Sequence, residues 1–338
     1  MARLDVGLIG AGGIARAHLP AWTELGARVT ILSTDGHAQQ LADQYAAFGV
    51  SAVQSLAELL DRSSVVDVCT PTFTHRHLVL DAVAAGRHVV CEKPLALTVD
   101  EAQEMADAAE RAGVLLFPAH VVRYFPAYAA LARSVAAGRV GAPAVLRFTR
   151  SGRYPAWAPW FSDPALSGGI LVDQMIHDLD FARLLAGEVV RVHAQVRGAQ
   201  EPGAADGAVA TGTAVLTHAS GALSHVLGVW GLPDLPFRTT YRVAGPGGVL
   251  EHDSTAHPGF RILAQGVRAP GEGIPGSPMT ESPYLTELRE FAAAVAGGPA
   301  PRVSARDGVE AVRIAAAAAE SARTAQAVDV EPTEEAGL

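Results

Sequence analysis

The sequence predicts an α/β protein: a doubly wound parallel sheet in the first third, then an α+β domain on a mainly antiparallel, open sheet. Three observations carry this. Across the first 120 residues, short β-branched runs alternate with Ala-rich stretches of helical period, the pattern of strand–helix–strand units. A glycine-rich turn stands directly after the first of those runs. Beyond Pro126, strand-like runs with two-residue alternation follow one another without long helices between them.

In chain order, the predicted strands of the first part are Asp5–Ile9, Val29–Leu32, Val65–Thr70, His88–Cys91 and Val114–Pro118. Each is a short, mostly apolar run bounded by turn formers or by the next helical pattern. Helical patterns lie between or after them at Ile14–Leu25, His37–Phe48, Ser55–Asp61, His75–Ala85 and Val99–Ala112. After Pro126 come a helix (Ala127–Ala137), a strand (Ala144–Thr149), an aromatic Gly- and Pro-rich loop, and one helix near Gly169–Leu185. Four to six strands are expected between Val189 and about Gln265, among them "VVRVHAQVRG", "ATGTAVLTH" and "ALSHVLGVW". Residues 266–283 read as loop by composition. Helices near Tyr284–Ala296 and Ala305–Thr324 follow, the second expected to pack back toward the first domain. The expected domains are residues 1–120 and 121–330, with 331–338 as a loose acidic tail.

Composition narrows the function. At 338 residues, 49% apolar and 18% charged, the chain can bury a sizeable core. Lys plus Arg number 26 against 35 Asp plus Glu, and no basic run interrupts the net charge of -9, which excludes a nucleic-acid surface. No run of about eighteen apolar residues offers a membrane span. The first strand begins too early for an ordinary signal peptide, so a cytoplasmic protein is expected. Cys69 and Cys91 sit in apolar runs and read as buried thiols of a reducing compartment. No histidine–carboxylate spacing makes a metal site; His75 and His77 diverge on their helix.

"DVGLIGAGGIARAHL" sets Gly10, Gly12 and Ala15 in a G-x-G-x-x-A pattern between a strand and a helix. Gly10 permits the tight turn, Gly12 lets backbone approach a pyrophosphate, and Ala15 keeps helix and strand close. With Gly13 and Ile14, the helix start offers backbone N–H groups to phosphates. A Rossmann-type NAD(P) site follows. The second strand ends at Ser33 and Thr34, with Asp35 just beyond. Ser33 places no charge against a 2′-phosphate, which favours NADP, although no phosphate-clamping arginine follows.

"TPTFTHRHLVLDAVAAGRHVVCEKPLALT" resembles the glucose–fructose oxidoreductase and inositol dehydrogenase family (Gfo/Idh/MocA), with its T-P-x-x-x-H, A-G-K-H-V and E-K-P motifs. Thr70, Pro71, His75, Gly86, His88, Glu92, Lys93 and Pro94 match, and the resemblance resumes at "RYFPAY", "SGGILVDQMIHDLDFARLLAGEV" and "PRVSARDGVEAVRIAAAAAESA". It implies that Thr70, Pro71, His75, Glu92 and Lys93 border the cofactor. It also implies a cis peptide before Pro94 that aims Lys93 at the reacting carbon. Asp173 and His177 match the family's catalytic D-x-x-x-H pair, in a variant that looks most like the inositol dehydrogenase branch.

On one helix, Asp173 and His177 share a face, and Asp180 stays near it. Asp178 and Asp180 are expected to be hydrated or paired with Arg183. In alcohol oxidation His177 suits the base, Lys93 the stabilisation of alkoxide character, and Asp173 a neighbouring hydroxyl and the orientation of His177. His120, Arg123, Tyr154, Trp157 and Trp160 are candidate contacts to a sugar, inositol or related polyol. His193, His218, His225 and His252 read as structural. Two other functions fit the same residues: a redox-neutral lyase or glycosidase that keeps its cofactor, and a cofactor-sensing regulator. The open second sheet predicts a homodimer or homotetramer formed through its bare face.

Overall fold

The computed structural model describes residues 3–156, 158–198, 209–256, 260–264 and 281–331. The chain divides into two compact units, residues 1–124 with 281–309 and residues 125–280 with 310–338.

The first unit holds β1 (Asp5–Ile9), α1 (Ala15–Glu24), β2 (Arg28–Leu32), α2 (His37–Gln44), β3 (Ser51–Ala52) and α3 (Leu56–Arg62). It continues through β4 (Val65–Val68), α4 (His75–Ala84), β5 (His88–Glu92), α5 (Val99–Ala112) and β6 (Leu116–Ala119). The strands form one parallel sheet in the order β3-β2-β1-β4-β5-β6. The order reverses between β1 and β4, so their carboxyl ends open the crevice where such sheets take ligands. All four residues of β4 are buried, as a sheet covered by helices requires. Thr98 caps α5 by accepting the Glu101 N–H, and Gly113 ends it at φ 66°.

The second unit holds α6 (Pro126–Ala136), β7 (Val145–Arg153), α7 (Pro164–Ser167), α8 (Gly169–Asp173) and α9 (Ile176–Ala186). Its remaining strands are β8 (Val189–Gly198), β9 (Ala210–His218), β10 (Leu223–Gly231), β11 (Arg238–Gly245), β12 (Gly248–Asp253) and β13 (Phe260–Ala264). α10 (Pro283–Val295) belongs to the first unit, α11 (Ala305–Thr324) crosses the division, and β14 (Val328–Asp329) joins the second sheet. That sheet runs β13-β12-β11-β7-β10-β9-β8-β14, antiparallel except where β7 meets β10. Alternation along β10 buries Ser224, Val226, Gly228 and Trp230 and leaves Leu223 and Leu227 on the bare face.

α10 packs into the first unit's own core. Phe291 stacks on Phe117 at 4.6 Å, beside fully buried Trp22, Leu8 and Ile31. Each such side chain contributes about 1.5–3 kcal/mol by leaving water.

Several expected bounds shift. α2 stops at Gln44, a tight turn at Ala46–Phe48 and Gly49 at φ 79° completing the segment. β4 ends two residues early at Val68, and β6 starts two late at Leu116. Two-residue strands such as β3 and β14 are too short to show a period. The single helix expected over 169–185 is two. Met175 N–H bonds to the Ile170 carbonyl, five residues back, whereas Asp178 N–H bonds to the Met175 carbonyl, three back. A wide turn followed by a tight one breaks the helix between Asp173 and Ile176. Among the described residues, no helix is long and apolar enough to cross a membrane. The predicted 266–280 loop and the last seven residues of the tail lie outside the described residues.

Candidate active site

Gly10 turns at φ 110°, and a Cβ there would lie 2.5 Å from the Cys69 carbonyl oxygen, so the position tolerates no side chain. Gly12 and Gly13 are exposed, and a Cβ on either would meet nothing within 4 Å. No side chain caps α1 at Ile14. Open space over an uncapped helix N-terminus fits a dinucleotide pyrophosphate.

At the end of β2, the Ser33 hydroxyl accepts the Ala38 N–H at 2.9 Å and so caps the approach to α2. Asp35 accepts the His37 N–H at 3.1 Å and lies 2.8 Å from the His37 ring. The bond from His37 holds its carboxyl down at about 2. Thr34 is exposed.

β5 runs apolar to Cys91 and then delivers Glu92 and Lys93 to the carboxyl edge of the sheet. The Lys93–Pro94 peptide is cis. Glu92 is 6% exposed and its Oε2 accepts the Lys93 N–H at 3.0 Å. His75 is fully buried, with one ring nitrogen 2.9 Å from the Pro94 carbonyl and the other 2.9 Å from that of Thr70. It ties the two motif turns together, and burial lowers its pKa. Thr70 shares a 2.6 Å hydrogen bond with Thr74, and Pro71 precedes that turn. His120 is 1% exposed. Arg123 is 3% exposed, donating to the Arg302 carbonyl at 2.9 Å and pairing with Asp307 at 3.2 Å. Its guanidinium is engaged inside the first unit.

In the second unit the broken helix makes its own site. Along residues 169–182 every residue is buried except Asp173 and His177. They occupy different helices, Asp173 the end of α8 and His177 the first turn of α9. Met175 between them sinks onto the sheet where Gly212 of β9 pairs with Gly228 of β10. A Cβ at Gly212 would lie 2.7 Å from the Met175 sulfur, and one at Gly228 would lie 2.6 Å from its Cγ. Two paired glycines thus make the floor on which the break rests.

Asp173 lines a cavity of about 550 Å³ with Gln174, Phe161, Trp230, Leu235 and Phe237. Gln174 was not a sequence candidate. Its Nε2 donates to the Val229 carbonyl at 3.4 Å, and its Oε1 has no hydrogen-bond partner among the described residues. Tyr154 and Phe161 both stand edge-on to Trp230, and Trp160 stacks on Phe161 at 3.8 Å. Trp157 lies outside the described residues.

Asp178 corrects the expectation of a hydrated acid. It is fully buried in a forked pair with Arg150, Nε to Oδ2 at 2.8 Å and Nη2 to Oδ1 at 3.0 Å. Asp180 is likewise 1% exposed, so it too is not hydrated, and Arg183 pairs with Glu188. A helical wheel cannot show that both sides of α9 are covered. His218 is buried between the Gly187 carbonyl and Ser224, and His252 stacks on Tyr241, whereas His193 and His225 face outward from their strands. Cys69 and Cys91 are buried free thiols.

One signal in the sequence went unused: Lys93 is the chain's only lysine, every other member of the 26 Lys plus Arg being arginine. Arginine stays protonated and presents a planar fork, while lysine is a compact donor whose pKa can be moved.

Residues 4–120 match the oxidoreductase family with an NAD-binding Rossmann fold (GFO_IDH_MocA), and residues 128–251 match the GFO/IDH/MocA C-terminal domain. The chain is 31% identical to the myo-inositol 2-dehydrogenase of Thermotoga maritima, over 97% of this chain and 99% of that one. It is 30% identical to the 1,5-anhydro-D-fructose reductase of Ensifer adhaerens, over 96% and 98%. The solved structure of a levoglucosan dehydrogenase in complex with NADH and levoglucosan is similar at a TM-score of 0.80 and 26% identity, covering 98% of this chain and 100% of that one. With the glycine turn, the lysine edge and both family domains in place, the chain belongs to the Gfo/Idh/MocA family of oxidoreductases.

Proposed function

We propose that the chain is an NAD(P)-dependent dehydrogenase or reductase of a sugar, inositol or related cyclic polyol. The first unit takes the dinucleotide and the second unit's Asp173 and His177 take the substrate. The observation that carries the reading is the single lysine at the carboxyl edge of the parallel sheet. The relatives named for myo-inositol, 1,5-anhydro-D-fructose and levoglucosan support the substrate class.

Gly10, Gly12, Gly13 and Ile14 would hold the pyrophosphate, Ser33 and Thr34 the adenosine ribose, and Thr70, Pro71 and Glu92 the nicotinamide side. Bound there, the dinucleotide supplies a hydride acceptor or donor. His177 takes the proton of the substrate hydroxyl, or returns it in the reverse direction. Lys93 suits donating a hydrogen bond to a substrate oxygen and stabilising its developing negative charge. Asp173 accepts a neighbouring hydroxyl and orients His177. Phe161 and Trp230 offer apolar faces to ring C–H groups, and Gln174 Oε1 accepts a further hydroxyl.

Uncharged Ser33 favours NADP; Asp35 is the ribose ligand if NAD is preferred. The bare face of the second sheet, with Leu223 39% and Leu227 37% exposed, supports a homodimer or homotetramer through that face. Light scattering that returns the monomer mass would contradict this. Two buried free thiols suit the cytoplasm.

The test is a panel of inositols, aldoses and anhydrosugars with each cofactor, read by absorbance of reduced nicotinamide. Turnover of at least one cyclic polyol is expected. Cofactor binding with no turnover across the panel would favour a sensor, and a cofactor that never exchanges would favour the lyase.

A further inference from the structure

Beneath the turn that carries Lys93 lies a group of buried ionisable side chains of which only Glu92 has a role above. Asp67 is fully buried in the middle of β4, a strand whose other residues are all valine. His18 and Trp22 reach it from α1. His18 Nδ1 lies 2.9 Å from Asp67 Oδ2, and Trp22 Nε1–H donates to the same oxygen at 2.7 Å. The Cys69 thiol donates to Oδ1 at 3.4 Å. The second ring nitrogen of His18, Nε2, lies 3.2 Å from Glu92 Oε1. The other oxygen of Glu92 holds the Lys93 N–H. α10 closes the group with Tyr284, its ring 5.7 Å from that of His18, and with fully buried Glu287.

His18 Nε2 and Glu92 Oε1 face each other at 3.2 Å, and neither makes a hydrogen bond among the described residues, so a proton on the ring nitrogen would relieve two buried polar atoms at once. With Nδ1–H given to Asp67, a neutral ring would turn the Nε2 lone pair toward a carboxylate oxygen 3.2 Å away, two acceptors in a dry site. Protonated on both nitrogens, the ring bridges two carboxylates and its buried charge is compensated on both sides. The surroundings agree. Burial would lower the His18 pKa, but the charge and hydrogen bond of Asp67 lift it well above the usual value; the Cys69 thiol, whose own pKa burial raises, is uncharged there. Burial raises the Glu287 pKa well above the carboxylate range; His18 opposes this, and Glu92, Asp67 and Glu290 add to it. His18, Asp67 and Cys69 are also close enough to share a cation, but a 2.9 Å hydrogen bond and the Trp22 donor already use Nδ1 and Oδ2.

We propose that His18 is a positioning residue for Lys93: its imidazolium grips Glu92, and Glu92 fixes the backbone of the turn that bears the lysine. This rests on the catalytic role proposed for Lys93.

The single lysine makes the test direct. Full-length protein grown with 15N-lysine gives one lysine backbone amide resonance, that of the N–H held by Glu92. In wild type this resonance should shift with a midpoint above the ordinary histidine value of about 6.5. The step should vanish in His18→Gln and in Glu92→Gln. In Asp67→Asn, which removes one of the two counter-charges, its midpoint should fall. Titration of the lysine ammonium itself persists in every variant and so is told apart. A wild-type resonance that does not move, or that moves alike in His18→Gln, overturns the proposal. Should His18→Gln fail to fold, Glu92→Gln and Asp67→Asn decide by the same two outcomes.

On whichever panel sugar turns over, His18→Gln should lower kcat at least about tenfold, since misplacing a catalytic group by ~1 Å can cost about a hundredfold. Dinucleotide affinity should hold. Unchanged turnover in Lys93→Ala would remove the role of Lys93 alone, and the resonance would still report whether His18 governs that turn.

Discussion

Replacing Asp178 by asparagine keeps the shape of the side chain and removes one charge from a place that water does not reach. Both carboxylate oxygens accept from Arg150, and Oδ1 also accepts from the Tyr128 hydroxyl at 3.3 Å. An asparagine has one acceptor oxygen, so half of the fork is lost. The Arg150 side chain, 6% exposed, is left without its counter-charge, with the Tyr128 and Phe237 rings near it at 6.0 and 5.9 Å. Breaking a buried pair from one side costs about 3–5 kcal/mol. At about 2–4 °C per kcal/mol for a unit of about 150–250 residues, the second unit's Tm should fall by roughly 10 °C in differential scanning calorimetry. Replacing both partners, Arg150→Met with Asp178→Leu, should recover most of the loss, because no charge is then stranded. The pair joins β7 to the helix that carries His177, so turnover well below the melting range should fall only severalfold. A variant melting within about 2 °C of wild type would mean less than about 1 kcal/mol and refute the buried-pair argument.

His177→Ala should lower kcat by at least about a hundredfold while dinucleotide binding survives, as expected on losing a general base; near-normal turnover would identify another base. Ser33→Asp can still cap the Ala38 N–H, so the fold should hold. Its carboxylate would repel a 2′-phosphate by roughly 4 kcal/mol at about 4 Å before screening, and a net cost of one or two kcal/mol is about a tenfold loss of NADP affinity. The ratio of kcat/KM for the two cofactors should move toward NAD, and a ratio that stays put would transfer the ribose to Asp35. Glu287 has a folded pKa above its unfolded one, so the protein takes up a proton on folding between the two values. Its contribution to stability therefore falls as pH rises through that window, by about 1.4 kcal/mol per pH unit. Glu287→Gln should remove this slope in Tm against pH, and an unchanged slope would show that Glu287 is ionised in the fold.

The first unit was legible because its logic is local. A β-branched run, a glycine turn and a helix of 3.6 period each announce themselves within ten residues, and β1 and α5 fall on the expected residues. The open second sheet was legible from alternation alone. What stayed hidden depends on partners distant in sequence. The break between α8 and α9 is set by Gly212 and Gly228, two strand residues with no visible role until they are seen beneath Met175. Asp178 read as wet because Arg150 lies 28 positions away on a strand. Asp67 did offer a signal, an acid inside an otherwise valine strand, and periodicity counting passed over it.

The central claim is that Lys93 serves the chemistry of a nicotinamide-linked oxidoreductase acting on a cyclic polyol. The direct measurement is steady-state turnover of wild type and Lys93→Ala on the best panel sugar, with dinucleotide affinity measured on the same samples. The account predicts a kcat at least about a hundredfold lower in the variant, with cofactor affinity preserved. A Lys93→Ala enzyme that binds cofactor and turns over at the wild-type rate would contradict it.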